Sequence, residues 1–202
     1  MEAAGRGPAA RAPRAYPLRY GAAIRASLES IVTNRHVVFS HGQEGAPWGR
    51  KITALADTAR SEGYQPESID YRGVEAPRER IAMLMEFCKD LQGDLVLVGS
   101  SLGGYVAAAA ASHLHARGVF LMAPAIYMEG LPELRRGALD SPTMVIHGWR
   151  DEVVPFEHSV RFAKEYGASL HLLDDDHRLH NQLRLIRYLF EYFLIALDLP
   201  HA

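Results

Sequence analysis

The sequence predicts one α/β domain built on a mostly parallel sheet with helices on both faces. Three observations predict it. From about residue 36 onward, short apolar runs alternate with stretches of helical periodicity. The run "DLVLVGS" (94–100) is apolar without alternation, as a strand covered on both faces must be. The chain has 202 residues and is 48% hydrophobic, enough for one filled core and too little for two.

The elements follow in order. Residues 1–30 are rich in Ala, Arg, Pro and Gly, lack an apolar core segment, and are expected to form a disordered N-terminal extension. Residues 31–202 are expected to form the single domain, with 21–35 fitting either an edge strand or a short helix. "HVVFS" (36–40) reads as the first strand. "GRKITALADTARSEG" then sets Ile52, Leu55, Ala56 and Ala59 on one helical face, and Gly63 stops it. "SIDYRG" (68–73) reads as a strand. "RERIAMLMEFCKDL" places Ile81, Leu84, Cys88 and Leu91 on one face. After the strand 94–100, "YVAAAAASHLHARG" is a helix ending at Gly118. "VFLMA" (119–123) and "TMVIHG" (143–148) are buried strands. "FEHSVRFAKEYG" is a helix and "SLHLLD" (169–174) a strand. The last helix, from about 178 to 197, repeats Leu179, Leu183, Ile186, Phe190, Phe193 and Leu197.

Composition excludes several function classes. Twenty-two basic residues face 24 acidic ones, a net charge of -2, which recruits neither nucleic acid nor an anionic membrane. No run of 18 apolar residues is present. A single cysteine, Cys88, forms no intramolecular disulfide, so a reducing, cytoplasmic setting is expected.

In open parallel sheets, ligands bind beyond the carboxyl ends of the strands. The loops there read "SHGQEGAPWG", "GSSLGG", "HGWRDEVVP" and "DDDHRL". Gly99-Ser100-Ser101-Leu102-Gly103 matches the Gly-x-Ser-x-Gly nucleophile elbow, a strained turn from strand to helix. Ser101 is its central residue, and Gly99 and Gly103 stand where a Cβ would clash. A serine hydroxyl needs a base, and His177 follows the last strand directly. The base needs a carboxylate to fix its tautomer. Asp151, five residues after Ile146, is the candidate, with Glu152, Asp174, Asp175 and Asp176 as alternatives. For an oxyanion hole, the backbone N–H of Leu102 and that of Gln43 in "His41-Gly42-Gln43" are the candidates.

These four loops resemble the α/β-hydrolase superfamily, with HG, G-x-S-x-G, HG-x-x-D-x-x-V-P and D-H in order over residues 36–197. The "GSSLGG" elbow and the short length most resemble small bacterial esterases of the YqiA-like type. The resemblance implies an α/β-hydrolase fold and a cofactor-free ester or thioester hydrolase acting on a small-molecule substrate. The N-terminal 30 residues and the "GAPWG" segment depart from that type.

The remaining signals bear on substrate and alternatives. Trp48, Tyr127, Met128 and Trp149 come from three strand-end loops and are expected to line an acyl pocket. The stretch 124–142, where a lid would be inserted, has room for a loop and one short helix, so no substantial lid is expected. His113 and His115, two apart on a helix, point to different faces and cannot chelate. His177, His180 and the neighbouring aspartates form only a weak metal signature, and no metal is expected. Two other classes fit the fold: a non-catalytic ligand- or partner-binding protein and a small serine peptidase. The intact Ser, His and Asp set weighs against the first, and the short 124–142 segment against the second.

Overall fold

The computed structural model describes residues 34–199 except Arg136 and Ala138, so the expected N-terminal extension lies outside the described residues. Six parallel strands form one sheet: β1 (Arg35–Ser40), β2 (Gln65–Ile69), β3 (Asp94–Ser100), β4 (Gly118–Met122), β5 (Thr143–Gly148) and β6 (Ser169–Leu173). Their order is β2-β1-β3-β4-β5-β6. The helices are α1 (Arg50–Ser61), α2 (Pro77–Cys88), α3 (Leu102–Ala110), α4 (Phe156–Tyr166) and α5 (Leu183–Leu197).

Strand side chains alternate between two cores, because successive Cβ atoms point to opposite faces. Val37, Phe39, Val96, Val98, Phe120 and Met122 pack with Ile52 and Leu55 of α1 and Phe190 and Phe193 of α5. Val38, Leu95, Leu97, Val119 and Leu121 pack with Leu84 of α2, Val106 of α3 and Phe162 of α4. The central strands are therefore dry on both faces, as their unbroken apolar runs require. Cys88 is part of the second core. Among the described residues, no helix is long and apolar enough to cross a membrane.

Three elements differ from the sequence expectation. β2 runs from Gln65 to Ile69, not 68–73. It is an edge strand and carries Pro66, a residue sheets accept at their edges. Tyr71 is buried beyond the strand because its N–H donates to the imidazole of His41 rather than to a neighbouring strand. α3 starts at Leu102 and ends at Ala110, earlier at both ends than expected. The terminal helix begins at Leu183, not near 178. Asp176 draws the N–H groups of Arg178 and Leu179, and Asp175 that of Gln182, so the chain turns there before the helix starts.

Between β4 and β5 the described residues form turns and bends, with no helix. This segment lies down on the protein. Ile126, Leu134 and Leu139 join the core, and the Tyr166 hydroxyl donates to the Leu134 carbonyl at 3.1 Å. The lid-free architecture is the one the sequence predicts.

Candidate active site

Ser101 sits between β3 and α3 with φ 55° and ψ -124°. Positive φ is costly for a residue with a Cβ, on the order of 1–3 kcal/mol, and persists only where its surroundings enforce it. Here they do. Ser101 N–H donates to Met122 O at 3.0 Å, and its carbonyl accepts from Gly104 N at 2.9 Å and Ala125 N at 3.0 Å. A Cβ on Gly99 would lie 2.3 Å from the Gly103 carbonyl oxygen, and one on Gly103 2.0 Å from that of Ser40. The elbow glycines thus let β3, α3 and β1 touch backbone to backbone. Ser101 consequently stands at the C-terminal edge of the sheet and at the start of α3.

The structure brings Ser101, His177 and Asp151 together. Ser101 Oγ is 3.1 Å from His177 Nε2, and His177 Nδ1 is 2.7 Å from Asp151 Oδ2. A carboxylate only accepts, so Nδ1 carries the proton and Nε2 is left to accept from the serine hydroxyl. The Asp151 side chain is wholly buried. Its Oδ1 accepts from Val153 N at 2.8 Å and Val154 N at 2.9 Å. Burial alone would raise the pKa of Asp151. The N–H groups of His147, His177, Val154 and Val153 outweigh it and hold the carboxyl well below the usual carboxylate range.

His147 is the contributor that sequence reasoning missed. It lies in β5 and is completely buried. Its Nε2 lies 3.0 Å from Asp151 Oδ2 and 3.1 Å from Val154 O, both acceptors, so Nε2 bears a proton. Its Nδ1 pairs with Ser159 Oγ at 2.7 Å. The available signal was a histidine inside the apolar run "TMVIHG", since a buried polar group must find partners.

The aspartates before His177 shape its loop and do not reach its ring. Asp175 is buried and accepts from Asp176 N at 2.9 Å, Asn181 Nδ2 at 3.0 Å and Gln182 N at 2.8 Å. Asp174 is exposed and holds Trp149 Nε1 and Arg150 Nε, each at 3.1 Å. Glu152 is exposed too. A Cβ on Gly148 would lie 2.4 Å from the Asp175 carbonyl oxygen, so this glycine lets the acid and histidine loops meet.

The loop after β1 lies against the nucleophile. A Cβ on Gly42 would be 3.2 Å from Ser101 Cβ. His41 is buried. Its Nδ1–H donates to Gly42 O at 2.7 Å and its Nε2 accepts from Tyr71 N at 2.9 Å. Burial, with Arg80 nearby, holds the imidazole below its ordinary pKa despite the Gly42 bond. Arg80, also buried and also missed in the sequence, donates Nε to Val74 O at 2.6 Å. Its Nη1 reaches the carbonyls of His41 at 3.3 Å and Gly42 at 3.4 Å. Gln43 follows in this fixed loop with an exposed side chain, and Leu102 opens α3. The first N–H groups of a helix have no intrahelical partner, which leaves that of Leu102 available to an oxyanion.

The four pocket candidates differ in setting. Trp48 and Trp149 are 48% and 55% exposed. Tyr127 is committed to α4: its hydroxyl donates to Glu165 at 2.6 Å, and the Arg161 guanidinium lies 3.8 Å from its ring centre. Arg161 and Glu165 line an open hollow of about 610 Å³ along α4 with Phe156 and Val160. Met128 is half-buried.

Comparison with known proteins agrees with this architecture. The profile of the alpha/beta hydrolase family matches residues 37–200. A search of curated proteins gave no match. Among solved structures, a protein assigned to the alpha/beta hydrolase superfamily from Xanthomonas campestris pv. campestris is 32% identical, with a TM-score of 0.75 over 81% of this chain and 99% of that one. Est1E from Butyrivibrio proteoclasticus is 21% identical, with a TM-score of 0.69 over 81% and 88%. A serine hydrolase without a lid from Xanthomonas campestris is also 21% identical, with a TM-score of 0.67 over 84% of each chain. With its parallel sheet, its strand-to-helix elbow and a family match over nearly all described residues, the chain belongs to the alpha/beta hydrolase family.

Proposed function

We propose that the protein is a serine hydrolase that cleaves carboxylic esters or thioesters through an acyl-enzyme. The observation that carries this reading is the unbroken series Ser101 Oγ, His177, Asp151, with links of 3.1 and 2.7 Å. His177 Nε2 takes the Ser101 proton as Oγ bonds to the acyl carbon. The carbonyl oxygen becomes an oxyanion, received by the backbone N–H groups of Gln43 and Leu102. The tetrahedral adduct collapses, the C–O or C–S bond breaks, and the alcohol or thiol leaves with the proton from His177. Water, deprotonated by His177, then attacks the acyl carbon, and the acid departs as the proton returns to Ser101. Asp151 stays ionised throughout, in keeping with its four donors. The short, folded-down 124–142 segment supports the resemblance to small YqiA-like esterases and an open site for small-molecule substrates.

A fluorophosphonate probe tests the reading directly. One adduct per chain is expected, mapped to Ser101 and abolished by Ser101→Ala. Labelling at Ser100 would overturn the elbow assignment. An unlabelled chain would overturn the serine-hydrolase reading altogether.

A further inference from the structure

We infer that the substrate carries an anionic group, a carboxylate or a phosphate, which Lys51 receives beside Ser101 with Arg50 and Arg178 at the rim. This rests on the esterase reading above and names its substrate class. Lys51 stands in the first turn of α1, and its Nζ donates to Ser100 Oγ at 2.9 Å, one residue from Ser101. An ammonium has three N–H donors. Ser100 takes one, and among the described residues no carboxylate lies within ion-pair distance of Nζ. Asp151, Asp175 and Asp176 act on Lys51 only through space. Both oxygens of Asp151 and of Asp175, and Oδ1 of Asp176, already accept from His147, His177, Asn181 and backbone N–H groups. Burial pushes the ammonium down to about 8, so an arriving anion meets a charge already stripped of much of its water.

The surroundings favour an anion independently. The N-terminal end of a helix is its positive end and normally attracts acidic residues. α1 opens instead on Arg50 and Lys51, with no acidic residue in its first turn and no side-chain cap on Gly49. An anion there relieves both the dipole and the paired cations. The histidine loop adds to the same edge. Lys51, Arg50 and Arg178 each act through space on the His180 imidazole, so the start of α1 and the histidine loop lie close together. Burial first, then Lys51, Arg50 and Arg178, hold His180 below its ordinary range against the opposing pull of Asp176. Arg178 gives Asp176 only its backbone N–H. In a chain of net charge -2, this cationic edge is local.

Two matched pairs test the proposal and locate the anion. One compares mono(4-nitrophenyl) glutarate with 4-nitrophenyl pentanoate, and the other compares 4-acetoxyphenyl phosphate with 4-methoxyphenyl acetate. In one pair the anionic member should show at least about tenfold higher kcat/KM. The first pair would assign a carboxylate on the acyl side, the second a phosphate on the leaving group. Lys51→Met should reduce that ratio to within about twofold, and the exposed Arg178→Gln should reduce it partway. Two results would overturn the inference: no preference in either pair, or an equal loss on both members in Lys51→Met, which would make Lys51 only a tie between α1 and the elbow. Labelling of the unaltered chain separates the two claims. A chain labelled at Ser101 that ignores substrate charge refutes the anion subsite alone, and an unlabelled chain refutes the hydrolase reading.

Discussion

At the elbow, backbone atoms hold the nucleophile, whereas in the loops after β5 and β6 side chains hold the acid and the histidine. Ser101 is fixed by hydrogen bonds to Met122, Gly104, Tyr105 and Ala125, all main chain, and by glycines that allow backbone contact. None of these groups titrates. The acid and histidine loops depend instead on three carboxylates, Asp151, Asp175 and Asp176, which collect backbone N–H groups, two imidazoles and an amide. The elbow is therefore held by steric fit and main-chain bonds, whereas the loops depend on charge in addition to the close backbone approach at Gly148. The nucleophile needs the stiffer support, because its position is strained.

The largest effect should come from adding one methyl group to the elbow. In Gly103→Ala the new carbon would lie 2.0 Å from Ser40 O and 2.6 Å from His41 O, both backbone atoms that cannot step aside. A loss of about 3 kcal/mol or more is expected, lowering the melting temperature by roughly 10 °C and removing fluorophosphonate labelling. Gly63→Ala is the control. Gly63 has φ 80° but nothing within 4 Å, so only about 1 kcal/mol of backbone cost is expected. Equal melting temperatures for the two variants would break the comparison.

In the charged region the most informative change is at His147, a positioning residue that acts through Asp151. His147→Ala removes a buried N–H donor from a carboxylate that His177 also uses. The lost bond corresponds to about 1–3 kcal/mol, or roughly 5- to 150-fold, and should appear in kcat with little change in KM. His147→Gln, which keeps an N–H donor, should recover part of that loss. A void without a positioning role would instead lower stability and leave kcat of the folded enzyme intact. Full kcat in His147→Ala would therefore end the claim that the second imidazole supports the site.

The same contrast explains what the sequence made legible. The elbow is local: Gly99, Ser101, Leu102 and Gly103 lie within five residues, and turn sterics fix them regardless of the rest of the chain. Strand order in sequence then carried His177 and Asp151 to the same edge, because parallel strands present their following loops together. The partners of Asp151 were harder to read. His147, four residues before it, faces inward from β5 and meets Ser159 of α4, a contact that needs the packed fold. Arg80 lies in the first turn of α2, where an arginine ordinarily faces water, yet it folds back 39 residues to the His41 carbonyl. β2 was misplaced because Tyr71 and Ile69 look like strand residues, while the strand itself includes Pro66. The settings of Trp48, Tyr127, Met128 and Trp149 were not legible, because loop side chains have no periodicity to fix their direction, and the contacts of Tyr127 with Glu165 and Arg161 need the packed fold.

The smallest effect separates the two regions by pH. The folded pKa of Asp151 is depressed by its four N–H partners, against the pull of burial. An unfolded aspartate titrates at about 3.9. A group depressed in the folded state contributes stability that is present in full above the unfolded value and is lost as pH falls toward the folded one. Above about pH 5 the unaltered protein should therefore exceed Asp151→Asn in stability, on the order of 1–3 kcal/mol. Below about pH 4 that margin should shrink as Asp151 takes up its proton and His147 and His177 lose their acceptor. The Gly103→Ala margin has no titrating group behind it and should stay flat over the same range. Urea melts of the three proteins at half-unit pH steps measure both margins. A Gly103→Ala margin that bends with pH, or an Asp151→Asn margin that does not, would show that steric support and charge support are not divided between elbow and loops.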